Sequence, residues 1–267
     1  MFDPRTSLRA LWTHRHFVRA AVEGEFRGRF ARSSFGALWH FVQPLAQAAI
    51  FTLVLSNVLA PRLPGGGGGT DYAVGLLAGL AAWSLFNEIV GRCTTVFIEY
   101  AAPLKKISFP RLCLPVIVVC GAFVNHGALL LAVLLACLFT GHPPAVTWLA
   151  LPVITAMLTL LGLGVGLLLG SLNVFARDVG HGTAIGLQLL FWLTPVVYPL
   201  EALPDWVRRV VECNPLTPLV RSYQHMLLQG TFPAGRDLLM PLVTGLVLAA
   251  AAGTVFRRAA PEIVDAL

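Results

Sequence analysis

Residues 112–176 read LCLPVIVVCGAFVNHGALLLAVLLACLFTGHPPAVTWLALPVITAMLTLLGLGVGLLLGSLNVFA, 65 residues between Arg111 and Arg177 with no Asp, Glu, Lys or Arg. A helix needs about 20 residues to cross the hydrocarbon core of a bilayer, and a charge is costly there. The stretch is long enough for two crossings. Gly141-His142-Pro143-Pro144 sits near its middle, and such a cluster breaks a helix and turns the chain. The stretch therefore predicts a helical hairpin through a membrane, with spans at about 112–139 and 146–172.

Four more uncharged runs flank this one. They are the 29 residues between Arg32 and Arg62, 16 between Asp71 and Glu88, 22 between Asp178 and Glu201, and 19 between Asp237 and Arg257. They add spans at about 36–59, 73–95, 180–200 and 237–256, six in all. The composition agrees: 57% hydrophobic, 12% charged, mean hydropathy +0.76. A water-facing domain carries about twice that share of charge. The expected fold is an all-α integral membrane protein, with a surface segment at 1–35 and a membrane domain at 36–267. The first apolar run begins near residue 36, too late for a secretory signal.

An even number of spans puts both termini on one side. With that side cytoplasmic, the inside segments hold 14 basic residues and the outside segments 5. Positive charge favours the inside. Seventeen of the 19 basic residues are Arg, grouped at the N-terminal end and between apolar runs. This is a membrane-anchoring pattern, and no nucleic-acid partner is expected. The five cysteines are odd in number and form no C-x-x-C pair; the expectation is small buried hydrophobes, with neither disulfide nor metal.

Residues 7–32 read as an amphipathic helix lying on the membrane surface. Leu8, Leu11, Trp12, Val18, Val22, Phe26 and Phe30 share one sector, about 120° wide at 100° per residue. Arg15, Arg19 and Arg29 fall in or near that sector, and Phe17 lies opposite it. The run Gly65–Gly69 is followed by Thr70-Asp71. It lacks the Gly-Lys-Ser/Thr ending that a phosphate loop requires, so it reads as a flexible linker. Segment 201–235 predicts an outer hairpin of two short helices. Pro204-Asp205 opens the first and Asn214-Pro215 stops it; Thr217 caps the second, with Pro218 at its first position and Gly230 at its end. Their apolar faces (Trp206, Val207, Val210; Leu219, Tyr223, Leu227) are expected to rest at or dip into the outer interface, as part of a pathway's outer mouth.

Strongly polar side chains are sparse inside the spans: Glu88, Arg92, Asn125, His126 and Gln188. Glu88 and Arg92 are four apart and can pair on one helical face, lining a pathway or satisfying each other. His126 beside Asn125 reads as a helix–helix hydrogen bond before a proton relay. His14 and His16 lack further ligands, so no metal site is expected. No nucleophile–base–acid set can be assembled. Aromatic residues are more plentiful. Trp39, Phe41, Trp83, Phe86, Phe191, Trp192 and Tyr198 are candidates for a channel wall, because the C–H faces of sugar rings stack on aromatic faces. Trp and Tyr also gather at any membrane interface.

Three stretches resemble the permease subunits of bacterial type-2 ABC exporters, in the branch that moves O-antigen, teichoic acid and related polymers. They are FGALWHFVQPL at 35–45, LKKISFPR at 104–111, and a third that runs from NVFARDV at 173–179 through TPVVYP at 194–199 to Asn214-Pro215-Leu216. Order and spacing agree over nearly the whole chain. Ala102-Pro103 ahead of the second stretch, Thr194 where Ser is common, and the five-glycine loop depart from the usual pattern.

The resemblance implies a homodimer in the bacterial inner membrane, with one cytoplasmic ATPase under each subunit. Loop 98–111 resembles a coupling element, in which Lys105, Lys106, Ile107, Phe109, Pro110 and Arg111 would fit a groove on the ATPase. Arg177 and Asp178 would lie in the next cytoplasmic loop. Pro199, Pro204, Trp206, Asn214 and Pro215 would form an outer gate. The cargo implied is a polysaccharide on a polyprenyl diphosphate lipid. ATP and Mg would be used by the partner, and this chain would bind no cofactor. Two rivals are an exporter of the same fold that carries a drug or lipid, and a membrane-embedded transferase.

Overall fold

The computed structural model describes residues 13–30, 42, 45–47, 49–51, 53, 54, 69–106, 110–141 and 143–266. Their side chains are described except in 26–30, 104–106 and 259–266. The described residues form α1 (Arg15–Phe30), α2 (Gly69–Glu99), α3 (Ala101–Lys106), α4 (Cys113–Phe139), α5 (Leu151–Phe175), α6 (Asp178–Trp192), α7 (Asp205–Glu212), α8 (Leu216–Gln224) and α9 (Gly235–Ala266). Among the described residues four helical stretches are long and apolar enough to cross a membrane: Gly69–Glu99, Cys113–Phe139, Val146–Phe175 and Gly235–Arg258. The first predicted span lies largely outside the described residues. Those described between 42 and 54 are helical.

The break in the long uncharged stretch falls where the sequence places it. At the end of α4 the Thr140 hydroxyl donates to the Ala136 carbonyl (2.8 Å), and Gly141 turns the chain at φ 80°, a conformation glycine adopts freely. A 3-10 turn, Val146–Ala150, leads into α5, which carries Pro152 in its first turn, where no intrahelical donor is lost.

The fifth predicted span is shorter than expected. The sequence suggests 180–200, but α6 stops at Trp192 after 15 residues. That is about 22 Å of helix, against about 30 Å of hydrocarbon. Pro195 has no N–H to donate and restricts Thr194 before it, so residues 193–199 are non-helical. Their carbonyls are held by side chains from elsewhere. Asn214 Nδ2 donates to Leu193 O (3.3 Å), Gln224 Nε2 to Pro195 O and Val196 O (3.3 Å each), and Tyr72 Oη to Val197 O (2.8 Å). Irregular backbone at membrane depth persists only where protein satisfies it in this way.

α2 is the central helix. It is buried along 78% of its most apolar window, against 17% for α9. It packs on α4, α5, α6 and α8, and α5 packs between α2 and α9. Gly162, Gly166 and Gly170 make the α2–α5 approach close. A Cβ at Gly166 would lie 2.7 Å from Cys93 Cβ, and one at Gly170 would lie 2.2 Å from Cys93 O. Small residues at this spacing let two membrane helices touch along their backbones. Apolar side chains point outward on α4 (Phe123, Leu131, Phe139) and α9 (Leu239, Val243, Val247), as lipid contact requires. Cys93, Cys113 and Cys137 are buried, whereas Cys120 and Cys213 are exposed; all five are free.

Two surface expectations are corrected. Among the described side chains of α1 the partly buried ones are Phe17, Val18, Ala21, Val22 and Glu25, and Phe17, Val18, Ala21 and Val22 pack against the core. Phe17 thus lies on the packed face. The face is turned about 100° from the predicted sector, one residue's step around a helix, because α1 meets α4 as well as any lipid. The outer hairpin is unequal. α7 exposes Trp206 and Val210, but Leu219, Tyr223 and Leu227 are 0%, 0% and 3% exposed, with α8 seated on α2 and α5. Thr217 does not cap α8, which begins at Leu216. Its hydroxyl donates to Val211 O of α7 (2.6 Å), and Gly230 ends the segment at φ 62°.

Candidate functional site: a polar cavity beside α2

Along one side of α2 the described residues leave an opening. A cavity of about 810 Å³ opens there, walled by α2, α4 and α6, with Gln47 reaching it from the first apolar run. From α2 come Trp83, Ser84, Asn87, Glu88, Arg92 and Thr95; from α4, Asn125 and His126; from α6, Thr183, Gln188 and Phe191. These residues span about 18 Å along α2, from Trp83 to Thr95. Few polar side chains exist inside the spans, and helical spacing gathers most of them on this wall.

Aromatic residues stand toward one end. Trp83 and Phe191 meet edge to face at 5.4 Å, and Phe191 meets Trp192 at 5.5 Å. Charge stands toward the other. Arg92 Nη1 donates to Glu88 Oε1 (3.2 Å), and Asn125 Nδ2 donates to the same oxygen (2.6 Å). Arg92 Nη2 donates to Glu25 of α1. His126 Nε2 lies 3.1 Å from Tyr223 Oη, and Tyr223 Oη also bonds Thr155. The imidazole therefore joins α4 to α8, and through Tyr223 to α5. Among the described residues Asn125 Oδ1 is buried with no hydrogen-bond partner.

The other predicted residues scatter. Phe86 is 2% exposed and faces a separate apolar groove between α2, α5 and α6. Trp192 is 55% exposed. Tyr198 Oη donates to Trp192 O (2.6 Å), bracing the end of α6. Pro199 precedes the 3-10 turn Leu200–Ala202, and Pro204 precedes α7. Asn214 bonds Thr194 Oγ1 (3.0 Å) and accepts from Leu216 N (3.0 Å), with Pro215 just ahead of α8. Arg177 and Asp178 form the tight α5–α6 connection. Buried Asn173 pins it by donating to Thr94 O (2.9 Å) and accepting from Gly180 N (2.8 Å). Lys105 and Lys106 end α3. The carbonyls of Pro110 and Arg111 accept from Cys113 N and Leu114 N (2.8 and 3.2 Å) and so start α4. Trp39, Phe41, Ile107 and Phe109 lie outside the described residues.

At the N-terminal end of α2, Tyr72, residues 195–201, Arg221, Gln224 and His225 enclose a small cavity of about 50 Å³. Arg221 pairs with Glu201 (3.1 Å). Burial pushes the His225 imidazole below its ordinary value; neighbouring Arg221 adds to this and Glu201 opposes it. Among the described residues no three His, Cys, Asp or Glu come together as metal ligands.

Sequence reasoning missed Glu25, Tyr223 and Gln224 as polar partners. Their partners lie 67, 97 and 29 residues away in the chain. Only the period-consistent placement of Glu25 beside Ala21 and Val22 could have flagged the first.

Long apolar helices around a recessed polar cavity define a multi-pass membrane protein built to hold or pass a polar solute. Residues 16–228 match the family described as ABC-2 type transporter, and the chain belongs to that family. It is 26% identical to an O-antigen export system permease protein, RfbA, of Myxococcus xanthus, over 97% of this chain and 98% of that one. A protein of the same name from Klebsiella pneumoniae is 26% identical over 88% of each. The polysialic acid transport protein KpsM of Escherichia coli is 24% identical over 86% of this chain and 91% of that one.

Proposed function

We propose that this chain is the permease subunit of an ATP-driven exporter that moves an O-antigen-like polysaccharide, carried on a polyprenyl diphosphate lipid, across the bacterial inner membrane. The observation that carries the proposal is the cavity of about 810 Å³, polar at one end and edged by Trp83 and Phe191 at the other, in a chain whose relatives bear the names of polysaccharide transporters. Hydroxyls and amides suit sugar hydroxyls. Aromatic edges suit sugar C–H faces, and such contacts are weak enough to release a moving chain.

In this reading the protein works as a homodimer with six spans per copy, both termini cytoplasmic, and the channel between the copies. Two ATPase subunits bind ATP and Mg. Their closure acts through loop 98–111, where Lys105, Lys106, Ile107, Phe109, Pro110 and Arg111 make the contact. The outer hairpin, with Pro199, Pro204, Trp206, Asn214 and Pro215, flanks the exit. The relatives' names and the basic loop support this assignment, as does a rigid start to α4 fixed by Pro110.

The test is reconstitution of the chain with its ATPase in vesicles holding lipid-linked glycan. ATP-dependent movement of the glycan is expected, lost on substitution of Phe109 and Arg111. Movement of a drug or simple lipid in place of the glycan would overturn the cargo. Glycan transfer without the ATPase would overturn the transporter reading itself.

A further inference from the structure

Arg92 lies seven residues before the end of α2, about 10 Å from it. Its guanidinium reaches in two directions, to Glu88 one turn back on α2 and to Glu25 on α1. Asn125 of α4 holds the same Glu88 oxygen from a third side. Glu88 and Arg92 together thus join α1, α2 and α4, and both stand on the cavity wall. Gly121 of α4 provides the room, since a Cβ there would lie 2.5 Å from Arg92 Nη1. The Glu25, Glu88 and Arg92 side chains are each about one-fifth exposed. The network therefore stands at a wet edge, where ion pairs are moderate in strength and exchangeable.

The two carboxylates are not equivalent. Glu88 and Arg92 share a helix, and Asn125 and Gly121 fix their positions from α4. Glu25 belongs to α1, a separate helix whose apolar contacts are only partly buried. If α1 moves away, Arg92 keeps Glu88 on its own helix. The guanidinium is then not left unpaired, so the main penalty for breaking such a network is avoided.

We propose that Glu25 and Arg92 form a clasp by which α1 closes one end of the polar cavity, with Glu88, Asn125 and Gly121 holding Arg92 ready to re-engage. α1 is then a gate for the cavity, and whatever draws α1 away controls access. This inference does not depend on the cargo.

The test uses the full-length chain in its native membrane with Ser84→Cys added to the cavity wall. A water-soluble maleimide is applied, and labelling at residue 84 is read by peptide mass spectrometry, so the native cysteines stay in place. Glu25→Gln is expected to speed labelling about tenfold, a shift of ~1.4 kcal/mol in closure. Gly121→Ala should act similarly by displacing the guanidinium. Arg19→Gln removes the exposed Arg19–Glu23 pair (2.8 Å) from the same helix and should leave the rate unchanged. The clasp is overturned if Glu25→Gln labels at the parent rate, or if Arg19→Gln speeds labelling equally. If Gly121→Ala does not accumulate, the Glu25→Gln and Arg19→Gln pair decides alone. The assay needs neither glycan nor ATPase, so its failure would leave the export reading standing, and the reverse also holds.

Discussion

Two sides of α2 face different worlds. Toward α5, Ile89, Val90 and Cys93 press against Gly162, Gly166 and Gly170 with no space for a single added carbon. Toward the cavity, Ser84, Asn87, Glu88 and Arg92 line open volume, and a Cβ at Gly91 would meet none of the described residues within 4 Å. The dry side fixes where α2 stands. The wet side can change without moving it. One helix can therefore serve as both the post of the fold and the wall of the site, because the two tasks fall on opposite faces.

The sharpest attempt to break this contrast is Gly170→Ala. The added carbon would collide with backbone at Cys93, which cannot rotate away, and about 3 kcal/mol of stability should be lost. Thermal unfolding in detergent would show it, and an unchanged midpoint would mean that the dry side is looser than described. Tyr223→Phe comes next. It leaves His126 and Thr155 without their shared partner inside the core, for a loss of about 2 kcal/mol by the same measurement. Glu88→Gln on the wet side should lose only about 1 kcal/mol, since its pair with Arg92 is partly screened.

Acid should loosen the seat of α8 by a smaller amount. The depressed His225 imidazole binds its proton more readily in the unfolded chain. Stability is full above about pH 6.5, the ordinary imidazole value, and falls as pH drops toward the folded value. His225→Gln should flatten that slope. Gly91→Ala completes the series with the opposite sign, a gain of up to about 1 kcal/mol from helix propensity alone. A loss there would refute the openness of the wet side.

Much of the fold was legible because charge is excluded from a bilayer core. Gaps between charges located α2, α4, α5 and α9, and the Gly141–Pro144 cluster located the break between α4 and α5. The fifth gap misled because hydropathy does not register lost helical donors; Pro195 ended α6 early and the chain stayed apolar beyond it. The face of α1 was misread because lipid was assumed to be its partner, whereas α4 meets it. In the cavity, Glu88 and Arg92 could be paired from their spacing. Glu25 could not, since nothing local in a sequence records a contact 67 residues away. Tyr223 looked like one apolar residue among several, and only the packed structure shows its hydroxyl joined to two other helices.

The irregular segment 193–199 has a mechanical consequence. Its carbonyls are gripped by Asn214, Gln224 and Tyr72, so α6, the hairpin and the N-terminal end of α2 are riveted together where a longer helix would have run straight on. A displacement of α6 would pull on α8 through these hydrogen bonds, like two ends of a single crank.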